Sequence, residues 1–372
     1  MKKVLINATA AKSSGALSIL TDFIHFLEIN KNLTTDIDFY LFTSVENFNE
    51  SKKIEIIKQS NDNWLKRIIW DYSGLNNWCK INKIVPDLLI SFQNTCTRFT
   101  GIYKNTPQLV YYHQPLPLVK YKWNCFDKDE FKLYLYAKFY GLFVNKYNSN
   151  AAYVVQLPYI KSLFIKKFPN VSEEKIHVIR PNIQKINVDL VEIKDISEDI
   201  TVLLYPATPL SYKNHIVLIK AFEKIVLEHG ITNKLVMYFT IKQEGFIYNE
   251  ILKRNLTAYI KCIGSVPFDE LLTYYKRANI ILFPSKIETF GLPLIEASMF
   301  GTPIIASNLP YAREVLENYN NVTFCNPEEE NEWTLAIKQQ LKQNKKKANL
   351  PYIENTENSW NEFLDIARSL IK

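Results

Sequence analysis

The residue types best suited to chemistry lie close together, in residues 283–316, which read FPSKIETFGLPLIEASMFGTPIIASNLPYAREVL. The apolar run 280–283 has the pattern of a buried strand and ends in Pro284-Ser285. A loop then carries Glu288, and Phe290-Gly291-Leu292-Pro293 opens a helix that carries Glu296. Glycine permits a close backbone approach, and proline is favoured in a first helical turn. The free amides of such a turn, together with the helix dipole, suit a diphosphate. Glu288 falls at the carboxyl end of a strand, where open α/β sheets bind ligands. Glu296, eight residues on, can accept hydrogen bonds from a ribose diol. One carboxylate would then address a sugar and the other a nucleoside. The plain alternative is that both are solvated charges.

These residues need a scaffold, and the rest of the chain supplies its pattern. Short apolar runs at 4–6, 39–42, 88–91, 109–112 and 152–155 alternate with helical spacings such as Leu17, Leu20, Ile24 and Leu27. That alternation predicts a parallel sheet covered on both faces. A polar stretch at 183–199 interrupts it, and runs at 202–205, 235–239, 259–263, 280–283, 303–306 and 322–325 repeat it. At 372 residues the chain is long enough for two such domains. The expected division is 1–185, 186–352, and a tail 353–372 whose amphipathic helix is able to cross back to the first domain.

Composition narrows the partners. The chain is 47% hydrophobic and 22% charged, as a globular protein is, and no apolar run approaches the ~20 residues of a membrane span. Asn7 ends the first apolar run after three residues, so it reads as a buried strand rather than a signal peptide. Five cysteines, none in a C-x-x-C pair, argue for a reducing cytoplasm. Residues 1–185 hold 25 Lys and Arg against 15 Asp and Glu, whereas the remainder is mildly acidic. A basic half invites an anionic partner, and without a nucleic-acid module the inner membrane surface is the better expectation. Segment 131–147 alternates aromatics with lysines. It reads either as a core helix or as one lying on a membrane.

The stretch 283–316 resembles the signature of family-4-type retaining glycosyltransferases (glycosyl transferases group 1), two glutamates around a Phe-Gly-Leu-Pro turn. The likeness extends to Gly264-Ser265-Val266-Pro267, Tyr275-Lys276-Arg277-Ala278, Arg313-Glu314-Val315 and Phe324-Cys325-Asn326-Pro327. His113-Gln114-Pro115-Leu116-Pro117 is similar to a loop of mannosyltransferase-like enzymes from bacterial polysaccharide and O-antigen clusters. The resemblance implies the GT-B fold, two doubly wound Rossmann-like domains facing a central cleft, with the acceptor on the first and the nucleotide sugar on the second. It also implies roles. Glu288 would contact the donor sugar and Glu296 the ribose. The backbone of Phe290, Gly291 and Leu292 would hold sugar and diphosphate, and Lys213 would neutralise the leaving diphosphate. Gly15 matches a small-residue loop near the cleft, and His113 would face the reacting sugar.

The implied reaction transfers a hexose, weakly mannose-like, from a nucleotide-diphosphate sugar to a saccharide or lipid-linked glycan acceptor with retention. No cofactor or metal is required, and no nucleic acid is expected. Asp36-Ile37-Asp38 reads as the solvated start of a strand rather than a metal motif. One departure stands out: Ala207 and Thr208 occupy positions where many relatives carry an arginine. That departure keeps a non-catalytic GT-B partner open as an alternative. A nucleotide-sugar 2-epimerase, which shares the fold, is another.

Overall fold

The structure is a computed structural model that describes residues 1–12, 14–46, 48, 53–59, 63–124, 126–148, 150–183, 186–229, 234–343 and 359–371. The chain divides into two compact units. Met1–Ile183 with Asn355–Lys372 form the first, and Gln184–Glu354 form the second. Among the described residues the first unit has seven parallel strands. They are β1 (Lys2–Asn7), β2 (Ile37–Thr43), β3 (Ile54–Lys58), β4 (Leu88–Ser91), β5 (Gln108–Tyr112), β6 (Ala152–Val155) and β7 (Ile176–Val178). Their order is β3-β2-β1-β4-β5-β6-β7. The second unit has six, β8 (Thr201–Tyr205), β9 (Leu235–Phe239), β10 (Ile260–Cys262), β11 (Ile280–Phe283), β12 (Ile304–Ser307) and β13 (Val322–Cys325). They run β10-β9-β8-β11-β12-β13, again all parallel. In each sheet the chain works outward to one side, then crosses the starting strand and works outward on the other. The reversal falls between β1 and β4 in one unit and between β8 and β11 in the other. Each unit is thus a doubly wound α/β sheet.

Parallel strands need cover on both faces, and that explains the continuous apolar runs. Every residue of β4, β5, β6 and β11 is buried. Two strands escape the sequence pattern, β3 and β7, because each is a sheet edge. Residues there alternate with exposed polar ones, or the strand lasts only three residues. Successive side chains of β1 serve opposite layers. Val4 and Ile6 join a core with Leu20, Phe23 and Ile24 of the helix Ser14–Ile29, whereas Leu5 joins Trp70, Leu75 and Cys79 on the other face.

The C-terminal helix Ser359–Leu370 belongs to the first of these layers. Trp360, Phe363, Leu364 and Ala367 recur at helical spacing and are buried there with Phe92 and Tyr111. Trp360 Nε1 donates to Asp22 Oδ2 at 2.5 Å, and Asn182 Nδ2 donates to the same oxygen at 3.0 Å. One carboxylate thus ties the last helix and the end of the first stretch of chain to the first helix.

The core-helix reading of segment 131–147 does not hold. The helix Lys128–Phe139 has no buried residue, and Phe131, Leu135 and Phe139 lie exposed at four-residue spacing. Aromatic content pointed to burial, but the layer positions beside β4 and β5 are filled by other side chains. Among the described residues no helix is long and apolar enough to cross a membrane.

The burial difference has a measurable consequence. Phe363→Ala, which empties a fully buried site, is expected to lower stability by about 3–5 kcal/mol. Phe131→Ala, at an exposed site, should change it by less than about 0.5 kcal/mol. Urea unfolding of both variants against the parent chain checks the contrast.

Candidate active site

The loops leaving β8 and β11 meet at the reversal point of the second sheet, and the backbone joins them. Asn214 adopts the left-handed conformation (φ 60°, ψ 36°), which asparagine tolerates better than most residues. Its side-chain amide donates to Pro284 O at 3.2 Å and to Pro327 O at 2.8 Å. Lys286 N donates to Tyr212 O at 2.8 Å, and Tyr205 Oη donates to Lys213 O at 2.6 Å. Held in this way, Lys213 Nζ meets Glu288 Oε1 at 2.5 Å, with the two side chains only 18% and 13% exposed. At that exposure the pair is screened far less than a surface ion pair.

The turn before the next helix is built around Gly291, at φ 94° and ψ 56°. A Cβ there would lie 3.3 Å from Leu294 Cδ1, in a backbone region that side chains rarely adopt. Phe290 is buried and anchors the turn, while Leu292 and Pro293 start the helix Leu292–Met299. That helix follows β11, so its amino end faces the carboxyl edge of the sheet. On it, Glu296 Oε2 accepts a hydrogen bond from Tyr275 Oη at 2.8 Å. Burial pushes the Glu296 carboxyl up to about 7, although the tyrosine hydroxyl pulls the other way. Tyr275 itself is fully buried and stacked on Phe300.

His215 is buried against Tyr205 and Phe239, with ring centroids at 4.7 and 5.1 Å. Burial first, and the Lys213 charge second, push it down to about 3, so it stays neutral and acts as packing. Ala207 and Thr208 lie in the loop after β8, where they bring no cation to the Lys213 neighbourhood.

His113 and Gly15 belong to the first unit. His113 follows β5 and is fixed by Asn94, itself left-handed at φ 64°. Its main-chain N–H donates to Asn94 Oδ1 at 2.5 Å, and Asn94 Nδ2 lies 3.4 Å from Nε2. Burial, reinforced by the charge of Arg67, pushes His113 down to about 4, so its imidazole is neutral near pH 7. Gly15 stands in the first turn of the helix Ser14–Ile29, is exposed, and has open space where a Cβ would go. Among the described residues nothing demands glycine there.

The second unit therefore gathers Lys213, Glu288, Phe290, Gly291, Leu292 and Glu296 at one sheet edge. Sequence reasoning passed over Asn214 and Tyr275. An asparagine directly between a lysine and the start of an apolar helix signals the first. The second lies in a segment that shares the family likeness, but its contact with Glu296 spans two helices and carries no local signal.

Residues 189–358 match the family described as glycosyl transferases group 1. The chain is similar to the O-antigen chain mannosyltransferase RfbU of Salmonella typhimurium, 41% identical over 76 residues, 20% of this chain and 21% of that protein. It is also similar to O-antigen chain mannosyltransferase B of Escherichia coli, 29% identical over 114 residues, 30% of each chain. The alignments thus span less than a third of either relative. Among solved structures it resembles WaaG, a glycosyltransferase involved in lipopolysaccharide biosynthesis, with a TM-score of 0.72 and 13% identity over 98% of this chain and 99% of that one.

The raised Glu296 carboxyl links stability to pH. Its folded value of about 7 lies above the ordinary 4.5, so between those limits the folded chain keeps a proton that the unfolded chain releases. The contribution is complete below about pH 4.5 and is lost as pH rises through about 7. Glu296→Gln, always neutral, should therefore gain on the parent chain between pH 5 and 8, by about 1–2 kcal/mol after allowing for solvent screening. Thermal midpoints of the two proteins across that range test this, and a constant difference would refute it.

Proposed function

Taking as premise that residues 189–358 are a glycosyl transferases group 1 domain on a GT-B fold, we propose that the chain is a retaining, metal-independent glycosyltransferase. Its donor would be a nucleotide-diphosphate hexose, mannose-like, and its acceptor a saccharide or lipid-linked glycan in cell-surface polysaccharide assembly. The observation that carries this is the Lys213–Glu288 pair at the β8/β11 reversal, with Glu296 one helix turn beyond. The O-antigen mannosyltransferase names of the relatives support the polysaccharide class.

The chemistry follows from charge. A bound diphosphate would compete with Glu288 for Lys213. The lysine would then offset the negative charge that grows on the leaving nucleotide, and the freed Glu288 carboxylate would accept hydrogen bonds from sugar hydroxyls. Amides around Phe290, Gly291 and Leu292 would hold the diphosphate at a helix amino end. Glu296 would take the ribose diol. A neutral His113 would give or take a hydrogen bond at the reacting sugar without adding charge. The acceptor hydroxyl would attack from the face the diphosphate leaves, with a phosphate oxygen taking the proton. The protein's part is then positioning and electrostatics rather than a nucleophile.

The reading extends to a membrane surface at the cytoplasmic face. Exposed Phe126, Phe131, Leu135 and Phe139 share one region of chain with Lys120, Lys122, Lys128, Lys132 and Lys138. Apolar side chains beside lysines suit anionic lipid, at about 1 kcal/mol per basic residue near the surface. Sedimentation with phosphatidylglycerol vesicles should pull down the chain, with phosphatidylcholine vesicles leaving it in solution. Phe131→Ser/Phe139→Ser should cut the bound fraction several-fold, and equal binding to both lipids would remove this part of the proposal.

Ala207 and Thr208 favour one rival, a non-catalytic partner with a weakened phosphate site. Calorimetric titration with UDP, GDP, ADP and dTDP separates the two. Selective binding of one nucleotide is expected, weakened about tenfold or more by Lys213→Ala and by Glu296→Ala, about 1.4 kcal/mol each. Glu288→Gln should instead tighten the nucleoside diphosphate by releasing Lys213. Affinity should rise with pH through about 7, since diol hydrogen bonds favour the ionised Glu296. Binding of none of the four would support the partner role, and C2 inversion of the sugar without acceptor would identify an epimerase.

A further inference from the structure

The first unit holds a buried acid that the proposed reaction does not use. Asp71 is 7% exposed and lies in a π-helical turn, Trp70–Gly74, between the helices Trp64–Ile69 and Leu75–Asn82. Single π turns are uncommon and concentrate at functional sites. This one is tightly made: a Cβ on Gly74 would meet the Trp70 indole at 2.5 Å. Trp70 Nε1 donates to Asn7 Oδ1 at 3.2 Å, and Asn7 Nδ2 donates in turn to Asp71 Oδ1 at 3.0 Å.

The carboxylate reaches across to the loop after β4. Thr95 Oγ1 donates to Oδ2 at 2.9 Å and Gln93 Nε2 approaches Oδ1 at 3.4 Å, while Arg98 N donates to the Asp71 main-chain oxygen at 2.7 Å. The same loop is closed by Ser91 Oγ donating to Thr95 O at 2.8 Å and by Tyr140 Oη donating to Gln93 O. Between Gln93 and Thr95 stands Asn94, which holds both the backbone and the ring of His113. Asp71 thus grips the residues on either side of the one that fixes the histidine.

We infer that Asp71 is a positioning residue for the transfer step, holding the loop after β4 so that Asn94 presents His113 in one orientation and one tautomer. The inference rests on the reading of His113 as the group facing the reacting sugar. A loop needing only support is already pinned by the main-chain bond to Arg98. A buried acid is a costly addition to it. Burial pushes this one up to about 6 against the hydrogen bond from Thr95 and the charge of Arg67. Arg67, Tyr140, Tyr147 and Cys96 are the other titratable groups that face it. A carboxylate accepts only, and it is matched here by three side-chain donors, one from β1 and two from the loop after β4. Arg67 Nη2 also lies 3.4 Å from Tyr140 Oη and helps keep His113 neutral.

The test reads His113 directly. The chain has five histidines, so nitrogen-15 histidine spectra are resolvable, and His113→Gln assigns the signal. The parent chain should show a single neutral tautomer, protonated on Nδ1, across pH 5–8. Asp71→Ala should give a tautomer mixture and raise the His113 midpoint by about one unit or more toward 6.5. Asp71→Asn keeps the shape, and with Thr95→Val reads the same signal if the alanine variant fails to fold. Release of nucleoside diphosphate from UDP- and GDP-hexoses should fall about tenfold or more in Asp71→Ala. The double variant with His113→Gln should be no slower than His113→Gln alone. An unchanged His113 signal in a folded variant, or losses that multiply in the double variant, would overturn the inference. A moved signal with unchanged turnover would also overturn it, as it would the role of His113. Nucleotide binding by the second unit, read by calorimetry on the same variants, shows whether the wider glycosyltransferase reading survives.

Discussion

The contact between Lys213 and Glu288 depends on a condition that neither residue supplies, namely that loops from β8 and β11 leave neighbouring strands on the same edge of one sheet. The two strands are adjacent only because the chain reverses its direction of growth there. A crevice at that reversal is the general place for ligands in open parallel sheets. What this chain adds is the stitching. Asn214 bonds Pro284 and Pro327, and Lys286 bonds Tyr212, so the two loops that carry the cation and the carboxylate are tied to each other beside the ion pair itself.

Charge is managed differently at each acidic position. Glu288 has a cation against it. Glu296 has the Tyr275 hydroxyl as its hydrogen-bond partner among the described residues, and burial pushes its carboxyl up to about 7. Asp71, in the other unit, is surrounded by donors from Asn7, Gln93 and Thr95. His113, on the loop after β5, and His215, at the start of the helix His215–His229, are both held neutral, by burial above all. His215 packs against aromatic rings, whereas the Nε2 of His113 lies 3.4 Å from an asparagine amide.

Much of the scaffold was legible in the residues. Central strands read as unbroken apolar runs because both of their faces are covered, and the amphipathic stripe Trp360, Phe363, Leu364 and Ala367 announced a helix needing a partner. The edge strands β3 and β7 did not read, because a strand with one neighbour can be short and half polar. Helix Lys128–Phe139 read two ways, as core or as membrane-lying, and none of its residues is buried. Composition reports how much apolar surface a helix has, and packing decides whether anything covers it.

By itself the sequence determined the features that depend on near neighbours along the chain. Gly291 before Leu292-Pro293, and two glutamates eight positions apart, specify a turn, a helix start and two carboxylates on one loop and helix, whatever surrounds them. Only the tertiary structure decided that Lys213 lies against Glu288 across 75 positions, that Tyr275 caps Glu296, and that Asp71 reaches Thr95 from a π turn. Those contacts are set by strand order and helix packing, which join residues distant along the chain. Local propensity carries no information about such pairs, since hydrophobic burial fixes the layers first and the polar partners meet where the layers bring them.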